Sequence, residues 1–211
     1  MKIFNKRTIA LIGAVAISAI AQPTAVFAIS VQVPSASVVA ATKAEDFLIQ
    51  GEEKDEKGDY QGAIAAYTQA IVLNANYAEA YNGRGNARYR LGDYKGAVAD
   101  FNEALRINPN YAEAYTNRGN ARYDSGDSQG ALADYNAALR INPNDAMAYY
   151  NRGVTRYRLG DNKGAVADYT EALRNDPNYA SAYNNRGIVR DELGDNQGAV
   201  ADFSEASANQ S

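Results

Sequence analysis

From Ala44 onward the apolar positions of the chain fall into a pattern that repeats every 34 residues, in five units beginning at Ala44, Ala78, Ala112, Ala146 and Ala180. The units beginning at Ala78 and Ala146 share 24 of 34 residues. Such a period marks a solenoid, in which a unit too small to bury its own apolar face stacks on its neighbours. Within a unit the spacing predicts helix, turn, helix. In the second unit, Ala78–Leu91 contains good helix formers and no Pro, and Gly92 follows as a natural stop. Asp93 is placed to cap a second helix running to about Ile107, which ends before Asn108-Pro109-Asn110. Pro143 and Pro177 repeat that stop, and the first unit has Ala75 there.

Small and large residues alternate across each helix pair. The eighth place is always Gly (Gly51, Gly85, Gly119, Gly153, Gly187), and the twentieth is always Ala (Ala63, Ala97, Ala131, Ala165, Ala199). The twenty-seventh is Ala as well (Ala70, Ala104, Ala138, Ala172, Ala206). Gly inside a helix costs about 1 kcal/mol, so its recurrence predicts a contact that a side chain would block, such as two helix axes crossing closely. Aromatics fill the complementary spaces: Phe47, Tyr81, Tyr115, Tyr149 and Tyr183 on the first helix, and Tyr67, Phe101, Tyr135, Tyr169 and Phe203 on the second.

Charge adds a second repeating signal. Four units carry Arg at places 7 and 11 and Asp at place 23: Arg84, Arg88 and Asp100; Arg118, Arg122 and Asp134; Arg152, Arg156 and Asp168; Arg186, Arg190 and Asp202. The first unit has Gln50, Lys54 and Ala66, so it lacks both Arg and the Asp together. Places 7 and 11 lie one turn apart on one helical face. Loss of all three at once predicts a structural charge ladder, each Asp forked by Arg between the two helices of a unit or into the next. An anion-binding row of eight guanidiniums is the functional alternative.

The N-terminal segment is different in kind. Lys2, Lys6 and Arg7 precede an apolar run of twelve residues, Ile9 to Ile20, followed by Ala-Gln-Pro-Thr-Ala-Val-Phe-Ala. A basic start, a short apolar stretch and small residues at −3 and −1 predict a secretory signal over residues 1–28, cut after Ala28 or, second, after Ala21. Twelve apolar residues are too few to span a bilayer, and extension to Ala28 crosses Gln22 and Pro23, so no stable membrane insertion is expected after cleavage. Residues 29–43 are mostly uncharged and rich in Ser, Val and Ala, which reads as a flexible tether. The expected location is therefore beyond the cytoplasmic membrane: periplasm, lumen or extracellular space.

Composition then narrows the chemistry. With neither Cys nor His there is no thiolate nucleophile, imidazole base, disulfide or ordinary zinc site. A formal charge of −4, falling to −7 once residues 1–28 are removed, argues against a nucleic-acid partner. No phosphate-binding Gly loop, nucleophile elbow or acid pair in an apolar setting is present, so no enzyme, cofactor or metal is expected. Gly83-Arg84-Gly85 is only a fragment of a Gly motif inside a helix.

Aromatic, Gly, Ala, aromatic, Ala and Pro at places 4, 8, 20, 24, 27 and 32 of a 34-residue unit resemble the tetratricopeptide repeat, over residues 44–211. This chain has Phe or Tyr where that family often has Trp. The resemblance implies an all-α, right-handed solenoid of five helix-turn-helix repeats (44–77, 78–111, 112–145, 146–179, 180–211) with a concave groove that holds peptides or protein surfaces. It also implies that places 2, 5, 6, 9, 12 and 13 face that groove. The partner-binding residues expected on this ground are Asn82, Asn86, Tyr89, Arg90, Thr116, Asn117, Asn120, Tyr123, Tyr150, Asn151, Tyr157, Arg158, Asn184 and Asn185. Asn offers both donor and acceptor to a partner's backbone, and Tyr offers flat apolar area with a polar tip. Some relatives clamp a C-terminal carboxylate with two Lys, an Arg and two Asn. This chain matches at Asn86 and Asn117 but has Asn82, Met147 and Asn151 where the basic residues stand, which predicts an internal segment or folded surface as ligand.

The expected function is an exported, non-catalytic scaffold in assembly of an envelope, luminal or periplasmic complex. Two alternatives are a glycan or cell-wall polymer module using the Tyr surface, and a structural element that self-associates into homo-oligomers. The latter follows from the C-terminal unit, where the apolar residues of places 28 and 30 give way to Ser207 and Asn209, and where Val200 and Phe203 have no further helix to cover them.

Overall fold

The structure is a computed structural model that describes residues 36–209. Residues 1–28, expected to be a secretory signal, and the start of the expected tether lie outside those residues. Ten α-helices and no strands occur among the described residues: α1 (Ala36–Glu56), α2 (Tyr60–Leu73), α3 (Ala78–Arg90), α4 (Tyr94–Ile107), α5 (Ala112–Asp124), α6 (Ser128–Ile141), α7 (Ala146–Arg158), α8 (Asn162–Asn175), α9 (Ala180–Glu192) and α10 (Asn196–Ala208). The chain divides into Met1–Ala40 and a compact body, Ala41–Ser211, that carries the repeats. From α2 to α10 consecutive helices pack on one another, and successive first helices α3, α5, α7 and α9 also touch one another. That is an all-α solenoid. Helix α1 departs from the expectation of a tether up to residue 43, because residues 36–43 already belong to it. Ala, Val and Ser hold no Pro or Gly there that would stop a helix growing backwards from Ala44. No helix among the described residues is long and apolar enough to cross a membrane.

The turns inside each pair are built alike. Gly92, at φ +79°, takes the left-handed conformation that ends α3, and the Asp93 side chain accepts from the Gly96 N–H at 2.9 Å to cap α4. Asp59, Asp127, Asp161 and Asp195 cap α2, α6, α8 and α10 in the same way. Between pairs, the Asn108 side chain accepts from the Asn110 N–H at 3.1 Å, so Asn-Pro-Asn turns the chain back.

The recurrent glycines have a specific use. A Cβ on Gly85 would lie 2.6 Å from the Phe101 ring, and one on Gly119 would lie 2.6 Å from the Tyr135 ring. What meets each glycine is therefore the place-24 aromatic of the second helix, not a bare backbone crossing. Gly83 has a use too, since a Cβ there would lie 2.6 Å from the Tyr67 ring of the preceding pair. Ala97, Phe101 and Ala121 form one buried cluster and Ala104, Leu105 and Ala114 the next, each joining two successive pairs. In α10 the Leu of this seam is replaced by the exposed Ser207, while Val200 is 66% exposed.

Candidate functional site

The charged residues that recur in the four later pairs are used up inside the stack. Arg118 donates from Nε and Nη2 to the two carboxylate oxygens of Asp134, at 3.0 and 2.6 Å, and Arg122 Nη1 donates to Oδ2 at 2.7 Å. Arg84 and Arg88 hold Asp100, Arg152 and Arg156 hold Asp168, and Arg186 and Arg190 hold Asp202 with the same geometry. The four Asp are buried. Each place-7 Arg also makes a third hydrogen bond, in which Nη1 reaches the second helix of the preceding pair, at Thr68, Asn102, Asn136 and Thr170. Its guanidinium also lies over the place-4 tyrosine, 5.4 Å from the ring centroid for Arg118 over Tyr115. The ladder therefore bonds within a pair and back to the previous one. Its guanidiniums are spent on these contacts, which disfavours the anion-binding alternative.

The row facing away from the second helices is less committed, and its residues have four different fates. Asn82 is buried: its Nδ2 donates to the Tyr111 hydroxyl at 3.3 Å and to Glu113 at 3.1 Å, and its Oδ1 accepts from Asn117. Thr116 is buried and donates to the Ala112 carbonyl. Neither can meet a partner, because place 5 is covered by the pair that follows. Asn117 is held by Asn82 and Glu113. Tyr150 packs on Tyr179, with ring centroids 4.8 Å apart, and its hydroxyl accepts from Asn185 Nδ2. These are contacts between pairs. Tyr157 donates to Glu192, and Arg158 donates to the Tyr123 carbonyl while lying 4.5 Å from the centre of the Tyr123 ring. The side chains of Asn86, Arg90 and Asn184 make no hydrogen bond among the described residues.

Four of the expected residues converge. Tyr89, Asn120, Tyr123 and Asn151, from α3, α5 and α7, line a cavity of about 200 Å³ together with Asp124, Tyr135 and Val154. Asn120 Oδ1 accepts twice, from the Tyr135 hydroxyl at 2.8 Å and from Asn151 Nδ2 at 2.9 Å. That double acceptance fixes both amides and leaves Asn120 Nδ2 a free donor and Asn151 Oδ1 a free acceptor in one cavity. Tyr89 donates to Asp124 at 2.5 Å. Burial, and then this bond to a carboxylate, push the Tyr89 hydroxyl up to about 12, so it stays protonated and neutral. Burial raises Tyr135 further still. A smaller cavity of about 90 Å³ continues toward the C-terminus between Val154, Tyr157, Tyr169, Asn185, Ile188 and Val189.

Sequence reasoning misses Asp124, Val154 and the Tyr135 hydroxyl. Asp124 and Val154 occupy places 13 and 9 of the same row, and a rule accepting any residue at those places finds both. The repeat pattern gives Tyr135 a packing role alone, yet its hydroxyl is the group that aligns Asn120. No group of three or more acidic residues among the described residues is arranged to hold a metal ion.

Solved structures share this architecture. The crystal structure of MamA superposes with a TM-score of 0.70 at 26% identity, over 76% of this chain and 94% of that one. The first TPR of Spaghetti (RPAP3), bound to the HSP90 peptide SRMEEVD, gives a TM-score of 0.56 at 28% identity, over 57% of this chain and 95% of that one. YrrB, described as a TPR protein with an unusual peptide-binding site, gives 0.65 at 23% identity, over 83% of this chain and 93% of that one, a likeness of fold. None of the curated proteins matches the sequence. The family model described as TPR repeat matches residues 51–92, 85–126, 119–160 and 155–194, so the chain belongs to the tetratricopeptide repeat family.

Proposed function

We propose that the protein is a non-catalytic scaffold that holds a polypeptide segment along its row of first helices, gripping it at the cavity of Tyr89, Asn120, Tyr123 and Asn151. One observation carries this reading. A fixed, unpaired amide donor and acceptor sit side by side between aromatic walls, which is the chemistry that recognises a backbone peptide group and the side chain next to it. The Asn120 and Asn151 amides are already immobilised by their mutual bond, so a ligand orders little on arrival. The likeness to the RPAP3 repeat, itself bound to a peptide, supports the same use of the fold.

The test uses the full chain as bait beside a Tyr123→Ala/Asn151→Ala variant, with Asn120 kept because it takes the Tyr135 hydroxyl. Both proteins must first show the same helical melt. A partner identified by mass spectrometry, held by the parent and lost from the variant, supports the cavity; equal capture by both refutes it. Export belongs to the same proposal and rests on the segment Lys2–Ala28. N-terminal sequencing of the mature protein should begin at Ile29 or Gln22, and an intact Met1 refutes export. Exposure of Val200 and Phe203 at the last pair favours a second reading, association end to end, which light scattering over a concentration series would detect as rising mass.

A further inference from the structure

The row of first helices changes character halfway along. Place 9 of the unit is Asn86 and Asn120 in the second and third pairs, then Val154 and Ile188 in the fourth and fifth. The cavity of about 90 Å³ between α7, α8 and α9 is the larger cavity moved on by one repeat. Tyr157 stands for Tyr123, Tyr169 for Tyr135, Asn185 for Asn151 and Ile188 for Val154. Val154, at the place of Asn120, lines both cavities. It brings no donor or acceptor, so Val154, Ile188 and Val189 give the second cavity apolar walls.

The exchange of Asn for Val strands a polar group. In the first cavity the Tyr135 hydroxyl donates to Asn120 at 2.8 Å. Its counterpart Tyr169 is 1% exposed, and its hydroxyl donates to no group among the described residues. Asn185, in the same wall, gives its Nδ2 to the Tyr150 hydroxyl at 3.0 Å. The Tyr169 ring is held in place, because it packs on Ala165 and Val189 and lies where a Cβ on Gly153 would be 2.8 Å away. A buried hydroxyl without an acceptor is rare and costly, and in a cavity wall it points to an acceptor that a ligand brings.

The volume sets the size of what enters. An apolar cavity of about 150 Å³ holds a benzene ring, so one of about 90 Å³ admits an aliphatic side chain and not an indole. Successive first helices touch, which sets the two cavities about 10 Å apart, a span of about three extended residues.

We propose that the second cavity takes the side chain of a Val, Leu or Ile in the bound polypeptide, about three residues from the peptide group held by Asn120 and Asn151, and that a carbonyl of the same segment accepts from the Tyr169 hydroxyl. This rests on the peptide-binding reading above and gives that ligand a sequence requirement.

Methyl NMR of the full chain tests it, in titrations with three capped nonapeptides of Ser and Gly that carry Leu, Ser or Trp at the centre. The Leu peptide should shift the Ile188 and Val189 methyls and bind at least about tenfold more tightly than the other two. Tyr169→Phe keeps the ring, as Phe101 and Phe203 do at the same place, and loses only the hydroxyl. It should melt no lower than the parent, since a donor without an acceptor adds nothing to the fold, yet bind the Leu peptide about fivefold more weakly. Tyr135→Phe gives up the bond to Asn120 and should melt lower. Ile188→Asn installs the residue that two earlier pairs carry at this place, on a side chain 40% exposed, and should abolish the preference for Leu over Ser at a similar melting temperature. Equal affinity for the Leu and Ser peptides, tighter binding of the Trp peptide, or no methyl shift at this cavity overturns the inference. So does a Tyr169→Phe variant that melts well below the parent or keeps full affinity for the Leu peptide. If the pull-down partner is lost with Tyr123→Ala/Asn151→Ala yet binds Ile188→Asn fully, the grip stands and this inference falls alone.

Discussion

Replacing Asp134 by Ala removes the anion that two guanidiniums share. The Asp134 side chain is 3% exposed, whereas those of Arg118 and Arg122 are 15% and 25% exposed. Taking one partner from a fully buried pair costs about 3–5 kcal/mol, mostly because the stranded charge stays desolvated. Water reaches part of both guanidiniums here, so the lower end applies, about 3 kcal/mol. For a body of this size 1 kcal/mol moves the melting temperature by about 2–4 °C, so the Asp134→Ala midpoint should fall by roughly 6–12 °C. The loss also reaches the preceding pair, because the same Arg118 donates to Asn102. Thermal and urea melts followed by circular dichroism at 222 nm read it directly. The control is Glu103→Ala, whose pair with Arg106 is open to solvent and should be silent. If Asp134→Ala melts within about 1 °C of the parent, or no lower than Glu103→Ala, the ladder does not hold the repeats together.

Gly119→Ala gains about 1 kcal/mol of helix propensity but sets a Cβ 2.6 Å from the Tyr135 ring, so net destabilisation of about 1–2 kcal/mol is expected in the same melt. Asp127→Ala removes the bond from the Gly130 N–H at 2.9 Å and should cost about 1 kcal/mol, as loss of a helix cap does. Tyr89 and Tyr111 are both pushed up to about 12, above the 10 of a free tyrosine. A group whose folded value is raised lends its stability in full below the unfolded value and loses it on the way to the folded one. Stability should therefore decline from about pH 10 to pH 12, and absorbance at 295 nm should show these two ionising late. Burial, then the charge of Glu56, raises Asp55 against the opposing pull of Arg90. By the same sign rule its charged form weakens the fold at neutral pH, so Asp55→Asn should raise the melting temperature there, and a lowered one refutes the reading.

The fold could be read from the sequence because a repeated unit states its constraints five times. Ala78, Ala112, Ala146 and Ala180 begin first helices, and Gly92 and Asp93 mark the turn where the period places them. The joint loss of Arg, Arg and Asp in the first unit points to one bonded group, and three contacts within hydrogen-bond distance form it in each later pair. The start of α1 is harder to read. Pro34 and Ser35 stand before Ala36, but the Gly-Asp pair that marks the inner turns is missing there, and an Ala-, Ser- and Val-rich segment fits helix and tether alike.

The groove is only partly legible, for a reason that lies in the stacking. The row of first-helix places that faces a partner in the middle of a solenoid is the same row that neighbouring pairs use to meet. Place 5 shows the division. Asn82 and Thr116 are buried there, Tyr150 is half-buried under Tyr179, and Asn184 is exposed. Chemical type does not order these four residues. What orders them is a following pair, which covers the first three, whereas among the described residues none lies over Asn184. Asn82 and Asn120 are the same amino acid with opposite uses. Tyr111 and Glu113 arrive from the next pair to close over Asn82, whereas Asn120 has its carbonyl fixed by Tyr135 from beneath and its amide left open. A binding residue in this stack is therefore set by which of its atoms the neighbouring pair leaves unpaired. On that measure the proposed grip rests on Asn120 and Asn151, each of which keeps an amide atom that no neighbouring pair takes up.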